Sequence, residues 1–159
     1  MDENLNWRAH INAIESKISK NLGILRKAKA YLNFKSLKSL YFSFIHSYVT
    51  YCNIAWASTN HTKIKKLFCK QKHACRIIFN ENRFTPSHPL FVKLGALDIY
   101  KINLYQILMF MYKSKLLMIP NTFEGLFTSI QHRYATRYSK DNFTIPKATI
   151  ETNIFCSTT

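Results

Sequence analysis

A chain of 159 residues is long enough for one ordinary domain with a real core. Its 47% apolar content, with 12 Phe and 9 Tyr, excludes the composition that keeps chains disordered. The formal net charge of +15 comes from 23 Lys and Arg against 8 Asp and Glu, an excess that repels itself unless a polyanion is near.

Trp7, Ile11, Ile14, Ile18, Leu22 and Leu25 are spaced 4, 3, 4, 4 and 3, which lines one face of a helix predicted from near Trp7 to Tyr31. Asn33 and Phe34 break it, and Ser36 can cap a second helix. There Leu37, Leu40, Tyr41, Phe44, Ile45 and Tyr48 form a stripe expected to be buried. Ser58 to His61 reads as a loop, with Thr62 as the cap of a third helix carrying Ile64, Leu67, Phe68, Cys75 and Ile78. No proline occurs before Pro86, which favours long helices in this half. Ser87 and Pro89 start a short helix that Gly95 ends, and a fifth helix follows Asp98. Ile99 to Tyr112 is apolar almost all round, which predicts a central helix surrounded by neighbours. Pro120, Gly125 and Pro146 punctuate a polar tail in which Phe143 to Ile145 and Ile150 to Phe155 are at most short strands. The expected fold is all-α: a bundle of about five helices over residues 1–119 and a partly irregular tail over residues 120–159.

Two-metal phosphoryl or nucleotidyl transfer needs converging carboxylates to hold the ions. Asp2, Asp98 and Asp141 stand apart and the five Glu are scattered, so no catalytic residue and no cofactor is expected in this chain. Cys69 and His73 share a helical face with Cys75 nearby, yet structural zinc wants four ligands in short paired spacings, and no second pair exists. Packed cysteines and a surface histidine are the expectation. No base, orienting group or oxyanion hole marks a Cys/His nucleophile either. Met1 is followed by Asp2 and Glu3 rather than a signal sequence, so a reduced, intracellular chain, nuclear or cytoplasmic, is expected. The uncharged run Leu40 to Ala57 contains His46, Asn53 and several hydroxyls, and Lys113 interrupts the run from Ile102, so neither is read as a membrane span.

Charge distribution says more than the total. From Ser16 to Asn80 there is no acidic residue, while 13 Lys and Arg occur, so helical ion pairs cannot neutralise this stretch. On the third helix Lys63, Lys66 and Lys70 form one row and Lys65, Lys72 and Arg76 a second. On the first, Lys17, Lys20, Arg26, Lys27 and Lys29 form a similar cluster. A charge run is ordinarily a solvated face. Sixty-odd residues without acid shift the reading to binding of a phosphate backbone with little sequence preference. Tyr41, Phe44, Tyr48, Tyr51 and Trp56 could stack on bases, but their helical spacing places them in the core first.

Several blocks resemble the region that follows the palm in reverse transcriptases of non-LTR retrotransposons, the jockey-like and related LINE-type groups. They begin with Asp2-Glu3-Asn4-Leu5-Asn6-Trp7, His10-Ile11, Lys17-Ile18-Ser19-Lys20 and Gly23-Ile24-Leu25. Leu40-Tyr41-Phe42-Ser43-Phe44-Ile45, Tyr48-Val49-Thr50-Tyr51-Cys52-Asn53-Ile54-Ala55-Trp56 and Lys70-Gln71-Lys72-His73-Ala74-Cys75-Arg76-Ile77-Ile78 follow. Pro89-Leu90-Phe91, Phe110-Met111-Tyr112-Lys113 and His132-Arg133-Tyr134-Ala135-Thr136-Arg137 complete the series. The resemblance implies a helical, thumb-like extension that contacts template and primer, RNA or an RNA–DNA hybrid, beside a palm domain. It also implies that the Mg²⁺-binding aspartates belong to that palm, which these residues do not contain. On this resemblance the chain is a fragment of an RNA-directed DNA polymerase with no active site of its own. The rival expectations are a helical interaction protein whose basic face meets an acidic protein or membrane surface, and a chain whose helices evolved to pack on the missing palm and so expose apolar surface.

Overall fold

The structure, a computed structural model, describes residues 7–59, 61–116, 118–120 and 122–123. Over these residues the chain is helical with no strand, as an all-α bundle requires. The two short strands expected near residues 143 and 150 lie outside the described residues, as does nearly all of the tail expected from residue 120.

Helix α1, Arg8–Ala28, buries Ile11, Ile14, Ile18, Leu22 and Leu25, the stripe its spacing predicts. Its main partner is α5, His61–Phe79. Three side-chain pairs join them at a constant separation of 51 residues: Lys63 to Asn12, Lys70 to Ser19, and Lys29 to Asn80. A constant offset means that the two helices run parallel, so their C-terminal ends lie together.

Between them in sequence, α2 (Phe34–Tyr41), a π-helical segment (Phe42–His46) and α3 (Ser47–Thr50) run on without a break. The buried residues Leu37, Tyr41, Ile45 and Val49 recur every four positions. In an ideal α-helix such a row drifts about 40° per step, and the wider π turns take up that drift. The predicted stripe is corrected accordingly: Phe44 is 40% exposed and Leu40 and Tyr48 are only half-buried. The cap is also reassigned, because Asn33 Oδ1 accepts from the Ser36 backbone N–H at 2.9 Å. Cys52, at φ 47°, turns the chain into α4 (Asn53–Trp56), whose fully buried Trp56 donates from Nε1 to the Tyr51 carbonyl at 2.9 Å.

Helix α5 ends at Asn80 (φ 59°), with Glu81 N–H reaching the Arg76 carbonyl at 2.9 Å and Asn80 N–H reaching that of Ile77. Helix α6, Ser87–Leu94, ends in the same pattern at Gly95 (φ 70°). Both are Schellman closures, which need a residue tolerant of the left-handed region. Asp98 Oδ1 then accepts from Lys101 N–H at 2.9 Å and caps α7, Ile99–Lys115.

The expected central helix is the main correction. Only Ile99 and Ile102 of α7 are buried, and Leu104, at 57%, Tyr105, Leu108 and Tyr112 are exposed. Apolarity on every side shows that a helix can be enclosed; it does not supply the neighbours, and within the first unit α7 joins the core through Ile99 and Ile102. Two compact units divide within this helix, one up to Gln106 and one from Ile107. The first holds the core of α1 to α6. In the second, Phe110 and Phe123 pack edge to face at 5.8 Å and Ile119 is buried.

Candidate nucleic-acid interface

The last turn of α1 carries Arg26 and Lys27, with Lys29 at its cap, and the last turn of α5 carries Arg76. Parallel packing gathers these cations at the joined C-termini, where each helix presents roughly half a negative charge. Part of the basic cluster therefore complements the two helix dipoles. That accounts for about one unit of charge, which is less than the cluster holds.

Between the helix ends and the loop after α5 lies a cavity of about 810 Å³, lined by Arg26 and Lys29 of α1, Lys72, His73 and Arg76 of α5, and Arg83 of the loop. Glu81 is its single carboxylate, and it accepts a hydrogen bond from the Thr85 hydroxyl at 3.1 Å. Arg76 donates from Nε and Nη2 to the Thr85 carbonyl, at 3.1 and 2.9 Å, which folds the loop back over the helix end. Lys29 donates to Asn80 Oδ1. Arg26 Nη2 lies 3.2 Å from His73 Nε2. A guanidinium can only donate, so that ring nitrogen is the acceptor and His73 is neutral. Partial burial, followed by the charges of Arg26, Arg76 and Arg83, holds the imidazole below its ordinary value. The hydrogen-bond partners of Arg26, Lys29 and Arg76 are thus all neutral, and beyond what the helix dipoles offset their positive charge is not cancelled by them.

A second, shallower depression of about 470 Å³ holds Lys65, Lys66, Lys70 and Glu15, and it shares Cys69 and His73 with the first. Together they form one trough along the face where α1 meets α5. Lys63 and Lys70 are less available than their spacing suggests. Lys63 donates to Asn12, and Lys70 pairs with Glu15 at 3.5 Å and donates to Ser19. The row Lys63, Lys66, Lys70 is therefore not a row of unpaired cations, because Glu15, one residue before the acid-free stretch, reaches across from α1. Lys17 sits 5.3 Å over the Tyr48 ring, and Lys17, Lys20 and Lys27 line neither depression. Lys72 lies 4.4 Å over the Phe68 ring, which fixes it at the cavity wall.

Sequence reasoning missed two members. Arg83 stands in a loop where no periodicity assigns a face, and the sequence offers His73 as a metal ligand, half of a Cys/His pair or a surface histidine, none of which points to an anion site. Of the cysteines, Cys75 is buried, as packing predicts, whereas Cys69 is exposed at the trough. Among the described residues no group of three or more His, Cys, Asp or Glu could hold a metal ion. Of the aromatic residues, Tyr41 and Trp56 are in the core, but Phe44 and Tyr51 are exposed. No helix among the described residues is long and apolar enough to cross a membrane. No protein-family model matches the chain, and neither the curated proteins nor the solved structures give a match.

Proposed function

We propose that the chain binds nucleic acid through the α1–α5 trough as the post-palm, thumb-like region of a non-LTR retrotransposon reverse transcriptase, holding RNA or an RNA–DNA hybrid without an active site of its own. One observation carries the reading: eight Lys and Arg line the two joined depressions, against Glu15 and Glu81. From Thr62 to Arg76 the trough runs about 21 Å at the helical rise, room for about six stacked nucleotides of one strand. Cations there would release counterions from the phosphates, a contribution that carries no sequence information. The sequence blocks that run in order from Asp2 to Arg137 support this reading. Catalytic Mg²⁺ would sit on the palm of the parent polypeptide.

Filter binding of the full chain to an RNA–DNA hybrid over a range of salt tests this. The expected result is affinity that falls steeply with salt, at a slope of about one per phosphate contacted. Binding that is insensitive to salt, or absent at low ionic strength, overturns it.

One observation favours a second reading, an interaction protein. Within the first unit Tyr100 and Leu104 stand one turn apart on an exposed face of α7, and such an apolar face fits contact with another protein surface. Flotation with anionic vesicles, compared with RNA filter binding, separates a membrane-binding basic face from a nucleic-acid one.

A further inference from the structure

The trough is not uniform, and its end at the joined helix termini differs from an open track. There the cavity is walled on three sides, by α1, by α5 and by the loop that Arg76 holds through the Thr85 carbonyl. Five cations face it against one carboxylate, and the two helix C-termini offset about one of them. That leaves more positive charge than a phosphodiester, with its single negative charge, can neutralise. We propose that this cavity seats a phosphomonoester dianion, the phosphorylated end of a nucleic-acid strand, gripped by Arg26, Arg76 and Arg83 with His73 as a proton-linked donor.

The proposal rests on the nucleic-acid reading for the source of the phosphate; the geometry alone sets its charge. A monoester presents three terminal oxygens and up to two charges. Guanidinium groups converge from three chain segments: the planar forks of Arg26 and Arg83 can grip phosphate oxygens in pairs, while Arg76, whose Nε and Nη2 hold the Thr85 carbonyl, offers Nη1. A through-running backbone would have to leave past the loop, whereas a strand end can stop there. The volume is ample for a terminal nucleotide, since ligand cavities span about 300–1,000 Å³.

His73 adds a signature. The charged and titratable groups around it are Arg26, Lys29 and Glu15 on α1, Lys66, Cys69, Lys70, Lys72 and Arg76 on α5, and Glu81 and Arg83 in the loop. Cations predominate, and together with burial they hold the imidazole neutral. A bound dianion cancels that field and frees Arg26 to turn from Nε2 to the phosphate, so the ring gains a proton and becomes a donor. Affinity therefore rises as pH falls toward about 6, where the monoester takes up its own proton and the gain turns over.

The experiment uses the full chain and two RNA oligonucleotides of one sequence, with a 5′-phosphate or a 5′-hydroxyl, in fluorescence anisotropy. Imidazole NMR titrations with inorganic phosphate run in parallel. The phosphorylated strand is expected to bind about tenfold tighter, and the His73 titration midpoint is expected to rise with phosphate. The double variant Arg26→Gln, Arg83→Gln should abolish both effects with unchanged helix content by circular dichroism. Equal affinity for the two strands overturns the strand-end site and leaves the nucleic-acid reading standing. If neither strand binds while phosphate or a nucleoside monophosphate still moves His73, the cavity is a phosphate site for a free nucleotide and the nucleic-acid reading falls. If phosphate leaves His73 unmoved, the site itself is refuted.

Discussion

Gln71 Nε2 donates to the Tyr41 hydroxyl at 3.1 Å in the fully buried centre of the first unit. The same carboxamide donates to the Leu97 carbonyl at 3.1 Å and accepts from Ile99 N–H at 3.0 Å. One side chain thereby satisfies the backbone where α7 begins and ties α2 to α5. Gln71→Leu would leave three groups to find new partners in an apolar setting. A loss of about 2–4 kcal/mol is expected, read as a lowered urea midpoint, with Tyr41→Phe costing about 1 kcal/mol. A Gln71→Leu protein as stable as its parent would show that the network is dispensable.

Alkaline pH probes the same core. Burial pushes the Cys75 thiol up to about 12, and burial, followed by the Cys75 charge, raises the Tyr41 phenol further. Both groups are held neutral in the fold, so the unfolded chain releases their protons first. The stability this represents is complete below the ordinary thiol value of 9.0 and declines as pH rises through 9 toward 12. The decline is about 1.4 kcal/mol per pH unit for each group titrating in the unfolded chain alone. Urea midpoints across this interval should fall, and Cys75→Ala should reduce the slope.

Exposure along α7 makes a sharp contrast between neighbours. Ile102→Ala removes a buried side chain and should cost about 2–5 kcal/mol. Leu104→Glu alters an exposed position two residues later and should change stability by less than about 0.5 kcal/mol. If thermal melts showed Leu104→Glu to be the costlier change, α7 would be the enclosed central helix that its composition suggests.

Location in the trough, rather than charge alone, should decide which cations matter for RNA. Lys66→Gln with Lys72→Gln should reduce the salt slope of binding by about two. Lys17→Gln with Lys20→Gln removes the same charge from residues that line neither depression and should leave that slope nearly unchanged. Equal effects from the two pairs would mean that binding follows total charge.

The helices were legible because each of α1, α5 and α6 carries its own evidence: a stripe at helical spacing, or a terminating glycine such as Gly95. The phase of the helix from Phe34 was not, because the four-residue recurrence of Leu37, Tyr41, Ile45 and Val49 belongs to a π-helical segment and favours a different face from a regular helix. The lack of acid from Ser16 to Asn80 also stood in the sequence and gave the basic character of the candidate site.

Which cations act together was a different matter. Arg26, Arg76, Arg83 and His73 are brought to one cavity because α1 and α5 run parallel with an offset of 51 residues and a loop folds back on them. By itself the sequence determined composition, charge and local helical periodicity, since these depend on residues a few positions apart. Only the tertiary structure decided helix direction, the pairing of Glu15 with Lys70, the exposure of α7 and the cavity walls. Those features arise from contacts between segments distant in the chain, to which a repeat of three or four residues is blind.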